Sequence, residues 1–207
     1  GKEVAQVAMA KFFKPGDFRS GYYRDQTFVL AAEMGTGEQL FAQLYADADL
    51  GREPFSGGRQ MNNFFATPFI DGTGEWLTLT NTKNSSSDIA PTAGQMPRAL
   101  GLAHASRIFR ELKELHSLSH LSQHGNEVCF ATIGDASTSE GHFFETVNAA
   151  GVLEVPLAIS IWDDGWGISV PNKYQTTKGN LSDVLSGFPK DGDSNGYIIL
   201  KESCNNY

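Results

Sequence analysis

The sequence predicts an α/β fold built on a buried parallel sheet, and three observations carry that prediction. Val128-Cys129-Phe130-Ala131-Thr132-Ile133 is a nearly continuous apolar run of strand length. Pro156-Leu157-Ala158-Ile159-Ser160-Ile161-Trp162 is a second such run. Between them Phe143, Val147 and Ala150 recur at helical spacing, and Gly151 is expected to end that helix. Strand, helix, strand, with both strands apolar throughout, is a βαβ unit in a sheet covered on both faces.

Composition narrows the class. A chain of 207 residues buries roughly 70% of its unfolded surface, so one full core forms without disulfide staples. Apolar residues at 40% and charged residues at 19% exclude a disordered polyelectrolyte. Lys plus Arg is 16 against 24 for Asp plus Glu, a net charge of −8, so no nucleic-acid partner is expected. No apolar run approaches the ~20 residues of a membrane span, so no membrane partner is expected either. Cys129 and Cys204 lie far apart with no CxxC. That usage fits a reducing compartment, and a cytoplasmic location is expected.

The remaining elements follow in order. Val4, Val7, Ala8 and Lys11-Phe12 keep helical spacing until Pro15-Gly16-Asp17 stops them. A second helix is expected through Phe28, Leu30, Ala31 and Met34, broken by Gly35-Thr36-Gly37. A third runs through Leu40, Phe41, Leu44 and Tyr45. Residues 51–75 read as a long loop, Trp76–Thr80 as a short strand and Asn81–Asp88 as a Ser/Asn loop. A long helix starts near Ala90-Pro91-Thr92, or at Pro97. Its small residues, from Ala93 to Ser106, predict close backbone approach and an oligomer interface. Tyr197-Ile198-Ile199-Leu200 reads as a strand, and Glu202–Tyr207 carries no closing element. The chain is read as one domain, 1–207, truncated at both ends.

In open parallel sheets ligands bind beyond the carboxyl ends of the strands. Both apolar runs end there in acid, Asp135 on one and Asp163-Asp164 on the other. Asp135 and Asp164 are 29 residues apart, one crossover. Neighbouring strands would bring the two carboxylates together as ligands for magnesium, which retains waters and adds substrate phosphates. Ser137-Thr138-Ser139-Glu140 matches a capping box, and a helix N-terminus beside a metal is a phosphate site. The residues alone leave a second reading open, of ordinary strand-end acids and a simple helix cap.

Longer stretches carry a resemblance. Gly134-Asp135-Ala136 and Asp163-Asp164 resemble the two ends of the thiamine diphosphate motif, Gly-Asp-Gly and Asn-Asn. Gly134–Gly141, Glu154-Val155-Pro156 and Gly165-Trp166-Gly167-Ile168-Ser169-Val170-Pro171 resemble the alpha subunit of the 2-oxo acid dehydrogenase first component. Lys14-Pro15-Gly16-Asp17, Tyr22-Tyr23-Arg24-Asp25 and Ala90–Pro97 are similar to other segments of that family, and Gly57-Gly58-Arg59-Gln60-Met61 is nearest the branched-chain type.

The resemblance implies a parallel sheet flanked by helices, a thiamine diphosphate-binding fold. It implies thiamine diphosphate and magnesium, oxidative decarboxylation of a 2-oxo acid (branched-chain or pyruvate), and acyl transfer to a lipoyl group. By position it assigns the metal to Asp135, Asp164 and the carbonyl of Trp166. It assigns the cofactor to Tyr23, Arg24, Ala136 and Ser137 at the diphosphate, Ala90 and Thr92 near the aminopyrimidine, and Ile168. Implied partners are a beta-type half, separate or fused downstream, and a lipoyl-bearing acyltransferase core. The isolated chain is expected to be inactive.

Four positions depart from the pattern. Ala136 replaces a glycine, Asp164 an asparagine, Trp162 a phosphate-binding arginine and Phe64 an active-site histidine. The alternative function is therefore a catalytically weakened paralogue acting as a cofactor-binding or scaffold subunit. A magnesium nucleotide-phosphate binder is a weaker rival, since GxGxxG and a P-loop lysine motif are both missing. His116, His120 and His124 recur every four residues and would share a helix face. Two readings apply to them, a zinc site and a solvated helix end, and the second is preferred.

Overall fold

The computed structural model describes residues 1–203; Cys204 and the tail that follows it lie outside the described residues. The main sheet has four strands, β1 (Phe18–Ser20), β2 (Asn84–Ser85), β3 (Cys129–Gly134) and β4 (Leu157–Trp162), in the order β2-β1-β3-β4. Every pairing is parallel, and β3 pairs with β4 from Cys129↔Leu157 to Gly134↔Trp162. The helices are α1 (Lys2–Ala10), α2 (Gln26–Ala31), α3 (Gly37–Leu44), α4 (Gln95–Glu111), α5 (Gly141–Leu153) and α6 (Leu181–Val184). Beyond β4, β5 (Trp166–Gly167) and β6 (Val170–Pro171) form a two-stranded antiparallel hairpin.

The period-two alternation of β3 explains the layers. Cys129, Ala131 and Ile133 face a core with Ala99 and Ala103 of α4 and Phe143 and Val147 of α5. Phe130 faces the opposite core, where Phe13 meets Phe28 and Phe130 edge-on at 5.1 and 5.3 Å. Full burial of each such aromatic contributes about 2–3 kcal/mol. The sheet is thus covered on both faces, as the apolar runs predict. Ala99 and Ala103 let α4 lie close to the sheet, whereas Gly101 and Ala105 on the same helix are exposed.

Several local expectations are corrected. Gly151 lies inside α5, which ends instead at Glu154 in the left-handed region, φ 46°. Ser137 caps no helix: it sits in a 3₁₀ turn, Ala136–Ser139, and Glu140 precedes α5 without a side-chain cap. Trp76 makes only an isolated bridge to Ile70, and Leu79–Asn81 is a 3₁₀ turn. The expected Ser/Asn loop contains β2, because its polar side chains find buried partners. The second helix, α2, stops at Ala31, short of Met34. Tyr197 bridges Pro189, but Ile198–Leu200 adds no strand to the sheet. The histidines share no helix face, since the 3₁₀ turn Lys113–Ser117 holds only the first; His116 and His124 instead stack at 4.2 Å. Pro97 falls in the first turn of α4, where its missing N–H is tolerated.

Candidate functional site

The carboxyl ends of β1, β3 and β4 open on one side of the sheet and are followed by Tyr22–Asp25, Asp135–Ser139 and Asp163–Trp166. Asp135 is buried at the end of β3. Its Oδ2 accepts from Asn172 Nδ2 at 2.6 Å and from Gly165 N–H at 3.1 Å. Asp163 Oδ1 accepts from the same two donors, Gly165 at 3.0 Å and Asn172 at 3.5 Å. Burial raises the Asp135 carboxyl above its ordinary value, the Asn172 bond opposes this, and the charges of Asp163 and Asp164 raise it further.

Asp164 turns elsewhere. Its Oδ2 accepts from Lys2 Nζ, and its Oδ1 from the Trp166 N–H at 3.1 Å. Burial works against its charge, but Lys2, the Trp166 N–H and Arg24 hold the carboxyl below the usual range. The structure therefore pairs Asp135 with Asp163 through shared donors, while Asp164 joins Lys2.

The loop after β1 supplies cationic and hydroxyl groups. Arg24 donates to the hydroxyls of Tyr22 and Tyr23, each at 3.2 Å, and its guanidinium lies over both rings. Burial works against the Arg24 charge, but Tyr22, Tyr23 and Asp164 sustain it. Tyr22 reaches the end of β3: a Cβ on Gly134 would lie 3.5 Å from its hydroxyl and 3.8 Å from Ser137 Oγ. Ala136 points toward the hairpin, where a Cβ on Gly167 would come within 2.7 Å of its methyl. The bare Gly167 thus accommodates the alanine that replaces a motif glycine.

Thr92 accepts at its carbonyl from the His142 ring, 2.8 Å, which ties the approach to α4 to the first turn of α5. Ala90 lies just upstream and is exposed. Ile168, at the tip of the β5–β6 hairpin, is fully exposed and left-handed, with φ 56°. A β-branched residue adopts that conformation only against its intrinsic preference. Trp162 is buried with its indole N–H unpartnered among the described residues. Phe64 is buried too, and its carbonyl accepts from Gln43 of α3.

Three contributors carry no local sequence signal: Lys2, Asn172 and the buried Arg19. Arg19 pairs with Asp25 at 2.8 Å and Asp88 at 3.0 Å, and its Nη1 donates to Ser85 Oγ at 2.8 Å. Thr132 on β3 donates to Asp25, and the Phe65 N–H donates to Asp88 at 3.0 Å. This network fixes the Tyr22–Asp25 loop to β1, β2 and β3. Asp163 had a signal: successive strand residues face opposite ways, so either acid of the Asp163-Asp164 pair could turn to Asp135.

The donor set suits a hard cation. Among the described residues no three His, Cys, Asp or Glu side chains converge as a metal site, so carbonyl, amide and ligand oxygens would complete one. The Asn172 Oδ1, buried and unpartnered, is such an oxygen beside Asp135. Arg24, with tyrosine hydroxyls beside it, suits a phosphate group.

The chain matches the family described as "Dehydrogenase E1 component" over residues 1–189. It is 32% identical over 193 residues to the 2-oxoisovalerate dehydrogenase subunit alpha of Bacillus subtilis (strain 168), covering 93% of this chain and 49% of that protein. It is 27% identical over 195 residues to the pyruvate dehydrogenase E1 component subunit alpha of Acholeplasma laidlawii, covering 91% and 44%. To an Arabidopsis thaliana mitochondrial 2-oxoisovalerate dehydrogenase subunit alpha 1 it is 28% identical over 170 residues, covering 82% and 29%. The chain spans about half or less of the length of these relatives. With nearly all of its length matched and its acids, Arg24 loop and βαβ unit gathered at one edge of the sheet, the chain belongs to the dehydrogenase E1 component family.

Proposed function

We propose that this chain supplies the metal and diphosphate half of a thiamine diphosphate site in a 2-oxo acid dehydrogenase, with a branched-chain substrate favoured over pyruvate. The observation that carries the reading is the buried Asp135 carboxylate, sharing Asn172 and Gly165 with a second carboxylate beside an unpartnered amide oxygen.

Asp135, Asp164 (released from its contact with Lys2) and the Trp166 carbonyl would hold magnesium, with Asp163 and Asn172 alongside. Arg24 and Tyr23 orient the diphosphate, and the backbone at Ala136 and Ser137 faces it. Ala90 and Thr92 border the aminopyrimidine, and Ile168 supplies an apolar contact to the cofactor. Thiamine diphosphate, when bound, provides the carbanion stabilisation that decarboxylation requires. No residue of this chain is assigned a proton-transfer role. A beta-type half and a lipoyl-bearing acyltransferase core complete the reaction in a cytoplasmic, oligomeric assembly.

Calorimetry on the chain joined to its beta-type half tests this. Thiamine diphosphate should bind only with magnesium or a similar cation, and Asp135→Ala should abolish binding. Binding unchanged by a chelator would overturn the metal assignment. Phe64 favours a second reading, since a buried phenylalanine can neither donate a hydrogen bond nor move a proton. On that reading the assembly binds the cofactor but does not decarboxylate 2-oxoisovalerate or pyruvate.

A further inference from the structure

We infer that Trp162 is a binding residue of the diphosphate site, its indole N–H donating to a phosphate oxygen of the bound cofactor; this rests on the diphosphate reading above. The Nε1 of Trp162 is buried and has no partner among the described residues. Burying such a donor unpaired costs free energy, and a buried indole N–H usually finds an acceptor. Trp162 is also in neither of the two apolar cores that cover the sheet, so filling a core does not account for it.

Its place in the sheet shows where that acceptor would come from. Trp162 ends β4 and pairs in register with Gly134, which ends β3. Side chains paired in this way stand next to each other on one face of the sheet. Ser160, two residues earlier on the same face, meets Met9 of α1 at 3.3 Å, so Trp162 lies one step nearer the ligand edge. Gly134 has no side chain, which leaves space beside the indole. The Tyr22 hydroxyl and Ser137 Oγ border that space, 3.5 and 3.8 Å from where a Cβ would stand. Arg24 donates to the same Tyr22 hydroxyl at 3.2 Å. A guanidinium, two hydroxyls and an unpaired indole N–H thus gather beside Gly134. The indole N–H only donates and a phosphate oxygen only accepts, so the two match.

The test joins NMR to calorimetry on the chain combined with its beta-type half, with isotopic label only on the indole nitrogens of this chain. Its three tryptophans give three indole N–H resonances, and Trp162→Phe identifies the one from Trp162. Magnesium pyrophosphate should move that resonance downfield, as a charge-assisted hydrogen bond forms. Trp162→Phe should weaken binding of magnesium pyrophosphate and of thiamine diphosphate about tenfold, the loss expected for one hydrogen bond to a charged group. If the variant does not fold, Trp76→Phe and Trp166→Phe identify the resonance by elimination, and its movement in wild type decides alone. A resonance that stays in place while calorimetry shows pyrophosphate saturating the wild type would overturn the inference. So would a shift produced in full by magnesium alone, or a folded Trp162→Phe that binds with wild-type affinity. Wild-type protein that binds neither pyrophosphate nor thiamine diphosphate would overturn the diphosphate reading itself, and the role of Trp162 with it.

Discussion

Arg19 and Asp88 form an ion pair at 3.0 Å in which both side chains are essentially closed to water. Asp25 completes a triad on the same guanidinium. Burying charges is costly, and removing one partner leaves the others uncompensated. Arg19→Met should therefore lower stability by about 3–5 kcal/mol, as read from urea unfolding. A loss under about 1 kcal/mol would mean that water reaches the two acids.

Gly21 is required by the same triad. A Cβ at this position would overlap the Asp25 carboxylate and the Arg19 guanidinium. Gly21→Ala should cost about 2–3 kcal/mol through forced displacement of the pair. The urea midpoint should fall, and Arg24 should lose its fixed approach to Asp164. A midpoint equal to wild type would show that the loop relaxes freely.

Asp17 gives a pH dependence of defined sign. Burial raises its carboxyl, the N–H groups of Val128 and Lys14, both at 2.8 Å, pull the other way, and Glu127 adds repulsion. The folded chain thus holds this proton more tightly than the unfolded chain. The contribution favours folding below the ordinary carboxylate range and is lost as pH rises through the folded value. As pH rises from the ordinary carboxylate range upward, wild type should lose stability relative to Asp17→Asn, measured by denaturant unfolding at each pH. A parallel pair of curves would sink the assignment.

Cys129 should be inert while the chain is folded. It is buried in β3, and burial pushes its thiol far above the ordinary range. The thiolate is the reactive form, so an alkylating reagent should modify Cys129 only on unfolding. Mass spectrometry of the labelled peptide, with and without denaturant, reads this directly.

These residues also show what a sequence can reveal. β3, α5 and β4 were legible because apolar runs and helical spacing are local patterns. β1 and β2 were not, since Phe18–Ser20 and Asn84–Ser85 are short and mostly polar, and they become strands by parallel pairing with segments distant in the chain. Asp135 and the neighbouring acids were legible as strand-end carboxylates. The expected meeting of Asp135 with Asp164 differs from the geometry, in which Asp163 shares its donors and Lys2, 162 residues from Asp164, draws that side chain away. A contact across such a separation leaves no periodic trace.

The backbone strain at Ile168 is set against the cofactor contact proposed for it. Its left-handed backbone would suit glycine or asparagine, and its side chain lies wholly in water. In a library selected for thermal endurance alone, those residues should displace isoleucine. A selection that rewards cofactor capture should retain it, so the hairpin tip is a position where competing pressures can be separated by sequencing the survivors.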